Sequence, residues 1–188
     1  LGDVYKRQVE RMGQIVLESM EAAKTVLFTQ KEEEIQFLKE EESTVDRLSA
    51  GITNYAIKLS SLQISEKEHQ SVAHLLQIVS DMERISDYCE NISEFAETLY
   101  EKKVSFSEIG KEQIKEMLDV CTDSYRYALD SLVEQSKEKA FRVIEKETQA
   151  DDLEISLRSK HIKRLTNNQC NTCLLYTSPS PRDVEESR

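Results

Sequence analysis

The stretch DMERISDYCENISEFAE, residues 81–97, combines an apolar seam with a row of acids. Its apolar residues, followed in both directions, recur at alternating steps of three and four, the spacing of a helix packed along one seam. The seam consists of Leu75, Ile78, Met82, Ile85, Cys89, Ile92, Ala96 and Leu99. At about 100° per residue, a separate ridge carries Glu83, Asp87, Glu90 and Glu94. The stretch predicts a packed helix with a distinct acidic face, which is either solvated surface or the wall of a metal site.

The two ends of the chain are expected to be sequencing artefacts. Residues 1–8 (LGDVYKRQ) and residues 173–179 (CLLYTSP) can be encoded by opposite strands of one inverted repeat, as in translated library adapters. We therefore assign residues 1–8 and 173–188 to adapters and residues 9–172 to the natural protein. That body is open at both ends, so we expect a longer parent chain. Cys170 and Cys173 then form no true metal or redox motif, because Cys173 belongs to the adapter.

The composition of residues 9–172 predicts an all-α fold. Both prolines, Pro179 and Pro181, lie outside this body, whose glycines are Gly13, Gly51 and Gly110. Proline breaks helix interiors and glycine weakens them, so a long body with so few of either is predicted to be nearly all helix. A net charge of −11 without a basic stripe argues against nucleic acid as a partner. No apolar run in the body approaches the ~18 residues that a membrane-spanning helix needs.

Periodicity and capping residues predict an antiparallel bundle of five helices joined by short linkers. The predicted helices cover approximately residues 9–28, 29–62, 65–102, 105–134 and 136–166. The second, third and fourth are each expected to start at a capping box, at Thr29 with Glu32, Ser65 with Glu68, and Ser105 with Glu108. Ser136 is expected to cap the fifth.

A motif repeats between the second and fifth predicted helices. Residues 42–52 and residues 147–157 both follow the pattern E-x-x-[apolar]-D-x-L-x-x-x-[apolar], offset by 105 residues. The same offset from Glu83 falls on position 188, inside the predicted adapter. The simplest account is a tandem duplication of three-helix units, residues 9–102 and a truncated copy at 103–172, with the sixth helix missing.

The acids of these helices form three pairs at a spacing of four: Glu42/Asp46, Glu83/Asp87 and Glu147/Asp151. Carboxylates four residues apart share one helix face and repel unless a cation intervenes. If the second and third helices are antiparallel neighbours, their pairs can converge on a hard or borderline cation such as iron, manganese, magnesium or calcium. Bridging carboxylates hold metals about 3.5–4 Å apart. The alternative is an acidic, solvated surface.

Catalytic interpretations have less support in the sequence. A ferritin-like di-iron site needs two E-x-x-H motifs, whereas this chain has one, Glu66 with His69. The chain also contains no glycine-rich phosphate loop and no nucleophile with a convincing base. We therefore expect a protein that is not an enzyme.

Residues 81–97 resemble the signature [D/N]-L-E-R-I-G-D-x-x-x-N-I-A-E of the PhoU family. The matching residues are Asp81, Glu83, Arg84, Ile85, Asp87, Asn91, Ile92 and Glu94. Ser86 replaces the usual glycine, and Tyr88 stands where histidine is frequent. The pairs Glu42/Asp46 and Glu147/Asp151 also resemble the acidic motifs of that family.

The resemblance implies a six-helix, two-bundle domain that binds multinuclear metal clusters of iron, zinc or manganese and acts in the control of phosphate uptake. One cluster would use Glu42, Asp46, Glu83 and Asp87. A second would use Glu147 and Asp151 with partners that this chain lacks.

Two branches of the family are relevant, and residues 158–165 (RSKHIKRL) look more like the branch of sodium/phosphate cotransporters. The leading expectation is therefore a metal-binding regulatory domain of a sodium-dependent phosphate transporter. Its partner would be the membrane domain of the same parent chain, at the cytoplasmic face of the plasma membrane, and a homodimer is allowed. The first alternative is a free-standing PhoU-type negative regulator of phosphate uptake and signalling. The second is a structural helical interaction module without metal.

Overall fold

A computed structural model describes residues 3–62 and 64–166, and in this part of the chain every regular element is an α-helix. The helices are α1 (Asp3–Thr29), α2 (Glu32–Ser60), α3 (Glu66–Glu101), α4 (Glu108–Glu134) and α5 (Lys137–Thr166). The all-α prediction is confirmed. Residues 3–8 of the first predicted adapter lie within α1, and residues 173–188 lie outside the described residues.

Two of the predicted helix starts are confirmed. At the start of α3, Ser65 Oγ accepts a hydrogen bond from the backbone N–H of Glu68, and the Glu68 carboxylate accepts one from the backbone N–H of Ser65 at 2.8 Å. This reciprocal pair is the capping box that the sequence predicts. At the start of α5, Ser136 Oγ accepts from the backbone N–H of Lys139 at 3.3 Å.

The other two predicted starts are wrong by two residues. Thr29 ends α1 instead of capping α2, and α2 starts after Lys31 without a side-chain cap. The chain turns between them at Gln30, whose φ of 53° lies in the left-handed region.

At α4 the cap is Ser107, whose Oγ accepts from the backbone N–H of Gly110 at 3.1 Å. Ser105 lies outside the helix because the ring of Phe106 packs against Phe28 and Phe95 and anchors the connection before the helix begins.

Helices α1, α2 and α3 pack against one another in pairs and enclose the main core. Val16 of α1, Ile52 of α2 and Val79 of α3 are at most 1% exposed and belong to one apolar cluster. A second cluster continues this core and includes Val26 and Leu38. These three helices hold one another in place over most of their length, which fixes the relative positions of the α2 and α3 side chains.

The buried row of α3 differs in part from the predicted seam. Its members are Val72, Val79, Met82, Ser86, Cys89, Ser93, Ala96 and Leu99. The isoleucines at 78, 85 and 92 are only half-buried, because they face a groove beside α4 and α5. Ser86 and Ser93 occupy the core side instead, and their small side chains allow α3 to approach its neighbours closely.

Helix α4 packs against α1, and α5 packs against α4 alone among the described helices. The hydroxyl of Tyr125 donates to the carbonyl of Gly13 at 3.1 Å across the α1–α4 contact. No described residue of α5 is buried, and its apolar side chains Ile144, Ile155 and Ile162 are more than half exposed. The proposed duplication would account for this bare face, because a third helix of the second unit would cover it.

None of the described helices between residues 3 and 166 combines the length and the low polarity that a membrane crossing demands.

Candidate metal centre

Three carboxylates from α2 and α3 converge at one point of the bundle. Glu42 and Asp46 come from α2, and Asp87 comes from α3. One oxygen of each lies within 4.8 Å of the others. Glu42 and Asp87 are half-buried, whereas Asp46 is exposed, so the cluster opens to solvent on one side. We refer to these three residues as the carboxylate cluster.

The convergence follows from the antiparallel register of α2 and α3, which two contacts between the helices define. Lys39 Nζ lies 2.9 Å from Glu97 Oε1 on one side of the cluster. Ser49 Oγ donates to Glu83 Oε2 at 2.8 Å on the other side. A residue further along α2 thus faces a residue further back along α3. The spacing of four within each helix keeps the acids between these contacts on the same face.

Burial and neighbouring acids both raise the pKa of Glu42. Partial burial, followed by the negative charges of Asp46, Glu90 and Asp87 and a hydrogen bond with Asp46, raises the pKa of Glu42 from 4.5 to about 7. The pKa of Glu90 is also raised, first by burial and then by Glu94 and Asp87, with Lys39 opposing the shift. Repulsion among neighbouring carboxylates, together with burial, therefore makes ionisation of Glu42 and Glu90 less favourable.

This shift predicts that the metal-free protein loses stability as the pH rises from about 4.5 to about 7. Between these values Glu42 is protonated in the folded state more than in the unfolded state, so deprotonation favours unfolding. Melting temperatures measured with a chelator across this range test the prediction. Glu42→Gln is expected to reduce the decline.

The matched control for this series is Glu147→Gln, which removes one negative charge from an exposed carboxylate on α5. It is expected to leave the pH dependence of the melting temperature unchanged. An equal decline in wild type and Glu42→Gln would contradict the assignment of this slope to Glu42.

The four ligands predicted on α2 and α3 do not all converge in the structure. It brings Glu42, Asp46 and Asp87 together, whereas Glu83 lies outside the carboxylate cluster and accepts a hydrogen bond from Ser49. Glu83 is nevertheless one helical turn from Asp87 on the same helix, so it borders the cluster.

The predicted pair on α5 has no comparable surroundings. Glu147 and Asp151 are both exposed and belong to no group of three converging ligands among residues 3–62 and 64–166. Their helix has α4 as its neighbour, and α4 presents no acid that joins them in such a group. A second cluster at this pair stays a prediction.

The sequence placed Glu90 on the acidic ridge of α3 but not among the predicted ligands, and it did not single out Ser49. The negative charge of Glu90 contributes to the raised pKa of Glu42, and that of Asp87 contributes to the raised pKa of Glu90. A spacing of three from Asp87 was the available signal for Glu90. Nothing in the sequence distinguishes Ser49 from other helical serines, because its role depends on a contact with α3.

The donor set fits a metal ion. It consists of carboxylate oxygens alone, which hard cations prefer as ligands. Lys39, which opposes the rise in the pKa of Glu90, is already paired with Glu97. Since the acids repel one another on two different helices, a cation between them would both neutralise charge and connect α2 to α3.

The described helices form an all-α bundle in which acidic side chains of the antiparallel helices α2 and α3 converge. The family model for the PhoU domain matches this chain over residues 9–96 and 114–178. The chain therefore belongs to the PhoU family. The first matched range contains the whole carboxylate cluster, and the second ends beyond residue 172, the boundary predicted for the natural sequence.

Two curated relatives are similar to this chain. A phosphate-specific transport system accessory protein PhoU homolog from Aquifex aeolicus is 29% identical over 157 residues, covering 79% of this chain and 66% of the relative. A phosphate-specific transport system accessory protein PhoU homolog 1 from Thermotoga maritima is 26% identical over 188 residues, covering 97% of this chain and 78% of the relative. The chain thus spans just under two thirds of the length of the first relative.

Proposed function

We propose that this protein is an accessory regulator of a phosphate transporter and that it acts through binding, without catalysis. The observation that carries the proposal is the match to the PhoU domain together with two relatives named as accessory proteins of phosphate-specific transport systems. Its partner would be the transporter, at the cytoplasmic face of the membrane.

The accessory role replaces the cotransporter domain as the leading interpretation. Both relatives are named as accessory proteins, and neither name describes a cotransporter. The basic run at residues 158–165, which favoured the cotransporter branch, is half-buried or exposed at the end of α5. A membrane domain in the same parent chain is not required by this proposal.

The carboxylate cluster is proposed as the metal centre of this regulator. Glu42, Asp46 and Asp87 would supply the ligands, with Glu83 and Glu90 beside them. The bound ion would neutralise the acids and stabilise the pairing of α2 with α3, since a ligand of the native state stabilises it by mass action. An all-oxygen donor set suits manganese better than zinc, whose sites more often include nitrogen and sulfur ligands.

The regulatory role predicts an effect on phosphate uptake. In a bacterial host that lacks its own PhoU protein, the chain is expected to lower the uptake of radiolabelled phosphate in phosphate-rich medium. The physical reason is that an accessory protein that binds the less active state of the transporter shifts the transporter toward that state. Uptake rates with and without the chain measure the effect.

The control is the Asp87→Asn variant at the same expression level, which separates the metal centre from the fold. Unchanged uptake in the presence of folded wild-type protein would contradict the regulatory role. Equal repression by wild type and Asp87→Asn would keep the role and remove the metal from it.

A further inference from the structure

Ser49 uses its hydroxyl differently from the other buried hydroxyl side chains. In the described part of the chain, the buried polar residues are Ser19, Ser49, Ser86, Ser93 and Thr122. Three of them, Ser19, Ser93 and Thr122, donate to a carbonyl three or four residues earlier on their own helix. Ser49 instead donates across the bundle to Glu83 Oε2 at 2.8 Å. A buried hydroxyl thus orients an acid on the neighbouring helix.

The contact lies directly beside the carboxylate cluster. Ser49 follows Asp46 by three residues on α2, and Glu83 precedes Asp87 by four residues on α3. Both separations are about one helical turn. Ser49 is 7% exposed, so water competes little for its hydroxyl. The hydrogen bond holds one oxygen of Glu83 and leaves Oε1 of the same carboxylate to accept a further partner.

We propose that Ser49 is a positioning residue of the metal centre, which holds Glu83 so that its free oxygen borders the ion bound by Glu42, Asp46 and Asp87. The inference rests on the proposed metal centre. Metal-binding carboxylates are commonly hydrogen-bonded by an outer partner that fixes their orientation, and loss of such a partner weakens metal binding about 10–100-fold. The hydrogen bond from Ser49 also restricts the rotamers of the Glu83 side chain, which has three rotatable bonds, so less side-chain entropy is lost when the ion binds.

The contact between Lys39 and Glu97 provides an internal comparison. It also joins α2 to α3, at 2.9 Å, but on the opposite side of the carboxylate cluster. Glu97 is ten residues from Asp87, or about 15 Å along a helix axis. If Ser49 merely supported the packing of the two helices, breaking this ion pair would have the same effect on the ion.

The test uses Mn²⁺ as the probe and electron paramagnetic resonance of free Mn²⁺ as the readout for the full chain. Ser49→Ala is expected to weaken Mn²⁺ binding about 10-fold, whereas Ser49→Thr, which keeps the hydroxyl, is expected to retain most of it. Ser49→Ala combined with Glu83→Gln should bind no more weakly than Glu83→Gln alone, because the serine acts through that glutamate.

Glu97→Gln is the matched control and is expected to leave Mn²⁺ affinity within about 2-fold, because its charge is screened at that distance. Wild-type affinity in Ser49→Ala, or an additive loss in the double variant, would overturn the role of Ser49 while leaving the metal centre intact. An equal loss of Mn²⁺ affinity in Glu97→Gln would mean that Ser49 acts only through the packing of α2 against α3. Wild-type protein that binds no Mn²⁺ would remove the metal centre and this inference together.

Discussion

Replacing Asp87 with asparagine is expected to remove the metal from the protein. Asp87 is the member of the carboxylate cluster that α3 supplies, so its loss leaves only Glu42 and Asp46, both on α2, in the cluster. Changes to outer partners already weaken metal binding about 10–100-fold, so loss of a charged ligand should cost more than about 100-fold. Asparagine keeps the size of the side chain, which limits the effect on packing. Metal content after gel filtration measures the result.

The matched control is Asp151→Asn, the same substitution at an exposed acid that also follows a glutamate by four residues. It is expected to keep the metal content of the wild type. A chelator should lower the melting temperature of the wild type and of Asp151→Asn, and should leave Asp87→Asn unchanged. Stoichiometric metal in Asp87→Asn, or an equal loss in Asp151→Asn, would contradict the assignment of the site to α2 and α3.

Ile52→Ala is expected to lower the free energy of unfolding by about 2–5 kcal/mol, the range for truncation of a buried isoleucine or leucine. Ile52 is 0% exposed and belongs to the cluster formed by α1, α2 and α3. Truncation removes apolar contacts and leaves a cavity that the three helices can close only in part. Urea denaturation followed by circular dichroism at 222 nm, roughly the helical minimum, measures the change.

Two isoleucines serve as controls for this substitution. Ile57 lies on the same helix and is 60% exposed, and Ile155 lies on α5 and is 69% exposed. Alanine at either position is expected to change the free energy of unfolding by less than about 0.5 kcal/mol. A large loss at Ile155 would mean that the apolar face of α5 is covered in solution, whereas a small loss at Ile52 would contradict the packing of the core.

Much of the fold could be predicted because its determinants are local. The capping box of Ser65 with Glu68 and the cap at Ser136 depend on neighbouring residues, and both are present in the structure. The error at the start of α2 coincides with a turn at Gln30, whereas the error at the start of α4 arose where a contact distant in sequence intervened. At α4 this contact is the packing of Phe106 against Phe28 and Phe95. No spacing rule contains that information.

Those features of the site that depend on a single helix could likewise be predicted from the sequence. The i, i+4 spacing identified Glu42 with Asp46 and Glu83 with Asp87 as acids that share a face, which is a property of one helix. It did not show that Ser49 would bind Glu83, since that hydrogen bond crosses from α2 to α3. Which oxygens lie close enough to share an ion depends on the offset between two helices.

Residue types and their spacing along the backbone suffice to predict that the chain is helical and which acids can face one direction. Which of those acids meet depends on how the helices pack. Glu42, Asp46 and Asp87 converge because α1 packs against both α2 and α3 and the buried side chains of all three helices set one register. Glu147 and Asp151 have the same local pattern, yet α5 lacks such neighbours among the described helices, and their carboxylates remain on an exposed surface.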